Sequence, residues 1–210
     1  MAVDLRPSRY PSRATEDKDK IYQALDTGLF CTVAFNRNGI PHQIPTGYCR
    51  RGDKLYIHAS SKSGFIDAIV GRTVSFSVTH MDALILAPTA FDHSFNYRSV
   101  IGFSEAKEIT DESEKMEIFK IFTDRYIPGR IADVGDPTPE QTSITRIVEL
   151  DLGQSAIKLR DGDSGTSDPE KYGKWVGAIP VVTGYGEPIA DEKASSIQLP
   201  SYIKDLIDGN

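Results

Sequence analysis

Between residues 29 and 109 the chain changes its hydrophobic pattern every few residues, and turn signals punctuate the changes. Residues 29–36 are apolar and β-branched. Asn38-Gly39 then supplies the positive-φ pair of a tight hairpin, and residues 42–49 return. Arg51-Gly52-Asp53 turns the chain again before a third run at residues 55–58. Residues 73–80 alternate, with Val74, Phe76 and Val78 against Ser75, Ser77 and Thr79, as a strand with one buried face must. A short apolar run at 83–87, a long strand at 97–109, and strands at 144–151, 156–160 and 175–183 complete the set. Many short strands with close turns and few helices predict a mainly β fold, a closed or nearly closed antiparallel barrel with peripheral helices.

Two helices are legible. Thr15 can cap one that runs to about Thr27, with Ile21, Ala24 and Leu25 inward and Gly28 ending it. Asp111 caps another, which carries Met116, Phe119, Phe122 and Tyr126 at near-helical intervals as core packing and stops at Pro128. Residues 131–143 read as a loop with a short helical turn, and 161–174, charged and Gly/Ser-rich, as a mobile surface loop. With 210 residues and no linker or repeat, the expected layout is an extended arm at 1–14, one domain over 15–185 and a polar tail at 186–210.

Composition narrows the partners. A net charge of −6 argues against nonspecific binding to nucleic acid or anionic membranes. No apolar run approaches the ~20 residues of a bilayer span. The first residues lack the apolar core of a secretory signal. Cys31 and Cys49 sit in apolar strand-like runs and read as buried thiols rather than a disulfide. Together these predict a soluble, cytoplasmic protein.

The chemistry-bearing segments are two. After the strand at 55–57 comes His58-Ala59-Ser60-Ser61-Lys62-Ser63-Gly64, opening into the helical spacing of Phe65, Ile66 and Ile69. Hydroxyl donors, one cation and a helix start describe an anion cradle; an ordinary Ser-capped helix on a polar turn has the same sequence. The second segment, residues 91–100, packs aromatic faces, amides, a guanidinium and hydroxyls ahead of a strand. Tyr97 offers a ring face and Ser99 a hydrogen bond to a flat heterocycle, and a polar turn reads equally well. The four histidines have no metal-site spacing, and the common hydrolase, NTPase and dinucleotide-binding motifs are missing.

In order along the chain, Ile44-Pro45-Thr46, Leu55-Tyr56-Ile57-His58-Ala59-Ser60, Ser63, Tyr97-Arg98-Ser99-Val100, Lys158-Leu159-Arg160 and Trp175-Val176-Gly177-Ala178-Ile179-Pro180 resemble the pyridoxamine 5'-phosphate oxidase-related flavoproteins. This is the FMN-binding split-barrel family, and the similarity is greatest to its group that includes the nitroimidazole-resistance proteins. The resemblance implies an antiparallel, Greek-key-like split barrel and FMN bound at a homodimer interface. Phosphate would be held at His58, Ser60, Ser61, Lys62 and Ser63. The isoalloxazine would lie near Thr46 and Tyr48, with polar edges met by Tyr97, Ser99 and Val100. Lys158 and Arg160 would line the pocket, and Trp175 would reach the partner's flavin.

Three departures qualify that expectation. Gly64 stands where the family usually has a phosphate-pairing arginine, which leaves Lys62 as the local cation. Ser104 replaces a usual glycine. The apolar Val-Gly-Ala-Ile-Pro after Trp175 lacks the substrate arginine of true pyridoxine phosphate oxidases. The resemblance thus implies an FMN-dependent oxidoreductase with an unknown small-molecule substrate and no assigned catalytic residue. The alternatives are a protein that only holds flavin, or a haem binder on the same barrel.

Overall fold

The structure, a computed structural model, describes residues 4–166 and 170–209. A short strand β1 (Ala14–Thr15) precedes α1 (Lys18–Thr27), followed by β2 (Phe30–Arg37), β3 (Ile40–Arg51) and β4 (Lys54–Ser60). Then come α2 (Gly64–Ile69), β5 (Thr73–Leu86), β6 (Ser94–Glu105), β7 (Lys107–Ile109) and α3 (Glu112–Tyr126). Two short helices, α4 (Arg130–Val134) and α5 (Pro139–Ser143), lead to β8 (Thr145–Asp151), β9 (Ser155–Arg160), β10 (Gly177–Pro180) and α6 (Ser201–Asp208). The strands form one antiparallel sheet in the order β1-β9-β6-β5-β2-β3-β4-β8-β7, with β10 added to β5. It curls into the half-barrel expected of a split-barrel fold.

The core fills the inner side. Cys31, Val33, Tyr48, Leu55, Ile57, Phe76, Val78, Val100 and Ile157 point inward from the strands, and α1 closes over them with Ile21, Ala24 and Leu25. α2 adds Ile66 and Ile69. A smaller cluster lies on the outer side of β3, β4 and β8, where α3 lays Ile118 and Phe122 against Cys49, Tyr56 and Ile147. Burial pushes both cysteine thiols up to about 12, so neither is a nucleophile near neutrality. Where β6 and β8 approach at the seam, the Ser104 hydroxyl accepts the Asp151 N–H at 2.8 Å and donates to Glu105 O. A glycine could not make that tie. The position that demands glycine is Gly102, whose absent Cβ makes room for the Phe76 ring.

Several expected boundaries move. Asp17, not Thr15, caps α1, accepting from the N–H groups of Asp19 and Lys20, while Thr15 pairs with Ile157 in the sheet. The run at 83–87 is no separate strand: it continues β5 past a bulge between Met81 and Ala83. The long strand at 97–109 breaks at Ala106, which bridges Val70, so β6 pairs with β5 and β9 while β7 pairs with β8. The strand expected at 175–183 shortens to β10. The segment beyond it ends in α6, whose Tyr202 packs on Gly129 and accepts from Arg130. The loop expected at 161–174 falls partly on residues 167–169, outside the described residues, as do residues 1–3 of the arm.

Candidate functional site

The hydroxyl loop folds as a turn at the end of β4. Ser63 N–H donates to Ser60 O at 2.8 Å, and Ser61 N–H to Ile144 O at 2.8 Å, which pins the loop to the β8 side. The Ser60 hydroxyl accepts from Lys62 N–H, and Ser63 caps α2 by accepting from Phe65 N–H, both at 3.3 Å. Each hydroxyl keeps its own O–H to donate outward. Ser60, Ser61 and Lys62 are exposed, and the Lys62 ammonium has no partner among the described residues. A Cβ at Gly64 meets nothing within 4 Å. The missing arginine therefore reflects choice of residue, not lack of room.

Lys62 is not the only cation nearby. Arg146, which pairs with Ala59 across β8, donates to both oxygens of Glu108 at 2.6 and 2.7 Å and to Asp67 of α2 at 2.5 Å. Those two carboxylates consume its charge, so Lys62 keeps the role of the uncommitted cation.

His58 lies on the side of β4 that faces α3. Its ring meets Phe122 edge-on at a centroid distance of 4.6 Å, with Phe119 at 6.4 Å. Water excluded by these rings holds its pKa below the usual histidine range, although the residue keeps substantial exposure. Neither ring nitrogen has a hydrogen-bond partner among the described residues.

The structure places the Tyr48 and Val100 side chains below the surface. Both are fully buried in the core. The Tyr48 hydroxyl donates to Leu25 O at 2.5 Å, and burial raises its pKa. Only their backbones could meet a ligand. Thr46 is half-buried opposite Cys31, with its hydroxyl on Gly47 O at 3.2 Å.

Tyr97, Ser99 and Lys158 do come together. In register, Met81 pairs with Tyr97 and Tyr97 with Arg160, while Thr79 pairs with Ser99 and Ser99 with Lys158. The Thr79 and Ser99 hydroxyls lie 2.9 Å apart. This is the outer face of the sheet, and large apolar side chains stay exposed on it: Phe30 at 64%, Met81 at 42% and Ile101 at 43%. Thr79 was overlooked in sequence although the alternation of β5 already set it opposite the core. Arg160 turns aside from this face to Asn96 and the loop after β9. Trp175 precedes β10, 65% exposed, its ring edge over Gly177.

Sequence reasoning also missed Arg125, which α3 aims at the end of α1. Its guanidinium donates to Tyr48 O at 2.9 Å, Asp26 O at 3.0 Å, Leu25 O at 2.7 Å and Gly28 O. It also stacks over the Tyr48 ring at 4.7 Å. A cation here answers the carbonyl dipoles of the α1 C-terminus. Nothing in the local pattern of α3 announces it.

Comparison with known proteins agrees with this architecture. The pattern of the pyridoxamine 5'-phosphate oxidase family matches residues 17–158, and the chain belongs to that family. Among solved structures, the FAD and haem binding protein from Mycobacterium smegmatis is similar at 31% identity and a TM-score of 0.87, covering 93% of this chain and 97% of that one. The flavocytochrome Anf3 from Azotobacter vinelandii is similar at 26% identity and a TM-score of 0.88, covering 97% of each chain. A putative 5-nitroimidazole antibiotic resistance protein from Bacteroides thetaiotaomicron shares the fold at 18% identity and a TM-score of 0.58, over 70% of this chain and 86% of its own. No curated protein sequence matches the chain. Among the described residues no helix is long and apolar enough to cross a membrane.

Proposed function

We propose that this chain is a flavin-binding redox protein that works as a homodimer. The observation that carries the reading is the near-full-length likeness to a protein named for FAD and haem, at 31% identity. That likeness favours FAD over the FMN implied by the sequence resemblance. The residues present fit a flavin phosphate: three hydroxyls and an uncommitted ammonium around a turn whose flank at Gly64 is open. Lys62 and the serines would hold the phosphate. The outer face at Tyr97, Ser99 and Thr79, supplied by a second copy, would orient the ring. The exposed Phe30, Met81 and Ile101 give that second copy an apolar surface to bury. When bound, the flavin supplies two-electron chemistry, and the protein's part is to bind, orient and shield it.

The same likeness, with that to the flavocytochrome, favours a second cofactor, haem. Of the four histidines, His58 fits an iron ligand best. Burial lowers its pKa, both nitrogens are uncommitted among the described residues, and Phe119 and Phe122 give an apolar wall. His93 is less suited because its Nδ1 accepts the Ala87 N–H, and His80 is engaged at Ala24 O.

The test is the absorption spectrum of the purified protein, followed by mass analysis of the released chromophore. Flavin bands with FAD released are expected, with a Soret band where haem is also held. A colourless protein that takes up neither flavin nucleotide refutes the main reading. A flavin-loaded protein that ignores added haemin removes the second cofactor alone.

A further inference from the structure

A cavity of about 390 Å³ opens at one end of the barrel between α1, the outer parts of β5 and β6, and β9. That volume lies within the range of small-ligand pockets, ~300–1,000 Å³. Its apolar wall is Ile157, Leu159, Ala83 and Pro180. Its charged lining sets Lys20, Arg98 and Arg160 against Asp82 and Asp161. Arg98 and Asp82 cancel each other through a pair of contacts at 2.9 and 3.1 Å.

Arg160 differs from Arg98. Its Nη1 donates to Asn96 Oδ1 at 2.5 Å and Gly162 O at 3.2 Å, and its Nη2 to Asp163 O at 2.7 Å. These acceptors are all neutral oxygens, and among the described residues no carboxylate pairs with it. They hold the guanidinium in place without neutralising it. Of its five N–H donors, Nε–H and one on Nη2 have no acceptor among the described residues. That is the adjacent pair which binds a carboxylate in two-pronged fashion. Lys20, exposed on α1 at the rim, adds a second charge with no partner among the described residues.

We propose that this cavity binds a flat organic carboxylate, its acid group on Arg160 and its ring against the Leu159 and Pro180 wall. The site lies away from the hydroxyl loop on β4 but shares Tyr97 with the ring-binding face proposed above.

The test titrates the purified protein, as isolated with whatever chromophore it carries, with 2-naphthoate by fluorescence. The neutral 2-naphthamide serves as control. One naphthoate per chain is expected, with the amide at least roughly ten-fold weaker, as a charge-assisted pair requires. Arg160→Gln should weaken naphthoate by roughly ten-fold. Lys20→Gln, on exposed helix surface and safe for folding, should weaken it by a smaller but measurable factor. No binding, equal affinity for acid and amide, or indifference to both substitutions overturns the proposal. Release of flavin on adding naphthoate also overturns it, because the anion would then occupy the flavin site. Flavin content comes from the visible spectrum of the same samples, so binding of naphthoate by a protein that neither carries nor takes up flavin sinks the flavin reading and leaves this one intact.

Discussion

Replacing Arg125 with methionine keeps the stem and removes the fork that ties α3 to the end of α1. Four carbonyls lose a donor, but not equally. Leu25 O still accepts from the Tyr48 hydroxyl, and Tyr48 O from the Tyr126 hydroxyl at 2.9 Å. The loss therefore falls on Asp26 O and Gly28 O, for which no second donor is present among the described residues. Gly28 O, partly buried, costs about 1–2 kcal/mol when left unpaired, whereas Asp26 O is exposed and water can take the donor's place. Losing the cation over the Tyr48 ring costs about 0.5–1 kcal/mol more. The sum is about 1.5–3 kcal/mol, a sizeable share of the stability of a domain this size. Urea unfolding followed by tryptophan fluorescence and far-UV circular dichroism measures it. Arg125→Lys should recover less than half, since one ammonium cannot span four acceptors on different chain segments. A loss under about 1 kcal/mol in Arg125→Met, on the scale of an ordinary surface change, would show that water replaces the fork without cost and that α1 needs no such lock.

Four further outcomes are expected. Lys62→Ala should weaken flavin by about 1–3 kcal/mol if its ammonium meets the phosphate; unchanged affinity by equilibrium dialysis would leave the serines and backbone to do the work. Gly102→Ala should destabilise the fold by about 1–3 kcal/mol through overpacking, because its Cβ would come within 2.6 Å of Phe76 Cε1, and Phe76→Leu in the same chain should recover part of that loss in a double-mutant cycle. The His58 pKa is depressed in the folded chain, so the unfolded chain binds the proton more readily. Its contribution to stability is complete above the unfolded value, about 6.5, and is lost as pH falls through that value toward the folded one; unfolding curves for His58→Gln should be flatter than wild type between about pH 5 and 7. Ile101→Asp places a charge on the exposed outer face, and should yield a folded monomer with little flavin by sedimentation and absorbance; a flavin-loaded dimer would move the interface elsewhere.

The sequence announced those features whose cause is local. Alternation in β5 and the Asn38-Gly39 turn are set by residues within a few positions of each other, and both stand in the structure, Asn38 and Gly39 with positive φ. Asp111 caps α3 as its position before the helix dictates. The errors arose where a distant partner decides. Ala106 looks like the middle of a strand, and only its bridge to Val70 shows why the strand ends there. The resemblance sets Tyr48 near the flavin, and only the fold shows that its hydroxyl donates to the Leu25 carbonyl in the core. Arg125 could not be told apart from a solvated arginine, because its acceptors are backbone oxygens that the fold brings in from distant segments. Ser104 is the converse case: an exchange without evident purpose in sequence becomes a tie across the barrel seam.

The sheet order bears directly on how many chains a shared flavin site needs. β4, which carries the hydroxyl loop, and β6, which carries Tyr97 and Ser99, have β5, β2 and β3 between them. At the usual strand spacing they lie about 19 Å apart along the sheet. Ser60 points to the α3 side of β4, and Tyr97 and Ser99 point away from the core, so both groups lie on the outer side of the curl, where side chains diverge. The inner side, where they could converge, is filled by Phe76, Val78, Val100 and Ile157. Within one chain the two groups thus face outward rather than toward each other. In the proposed homodimer, two copies packed across the exposed Phe30, Met81 and Ile101 would each lend an outer face to the other's loop. A two-fold axis then makes two equivalent sites from a single self-complementary contact.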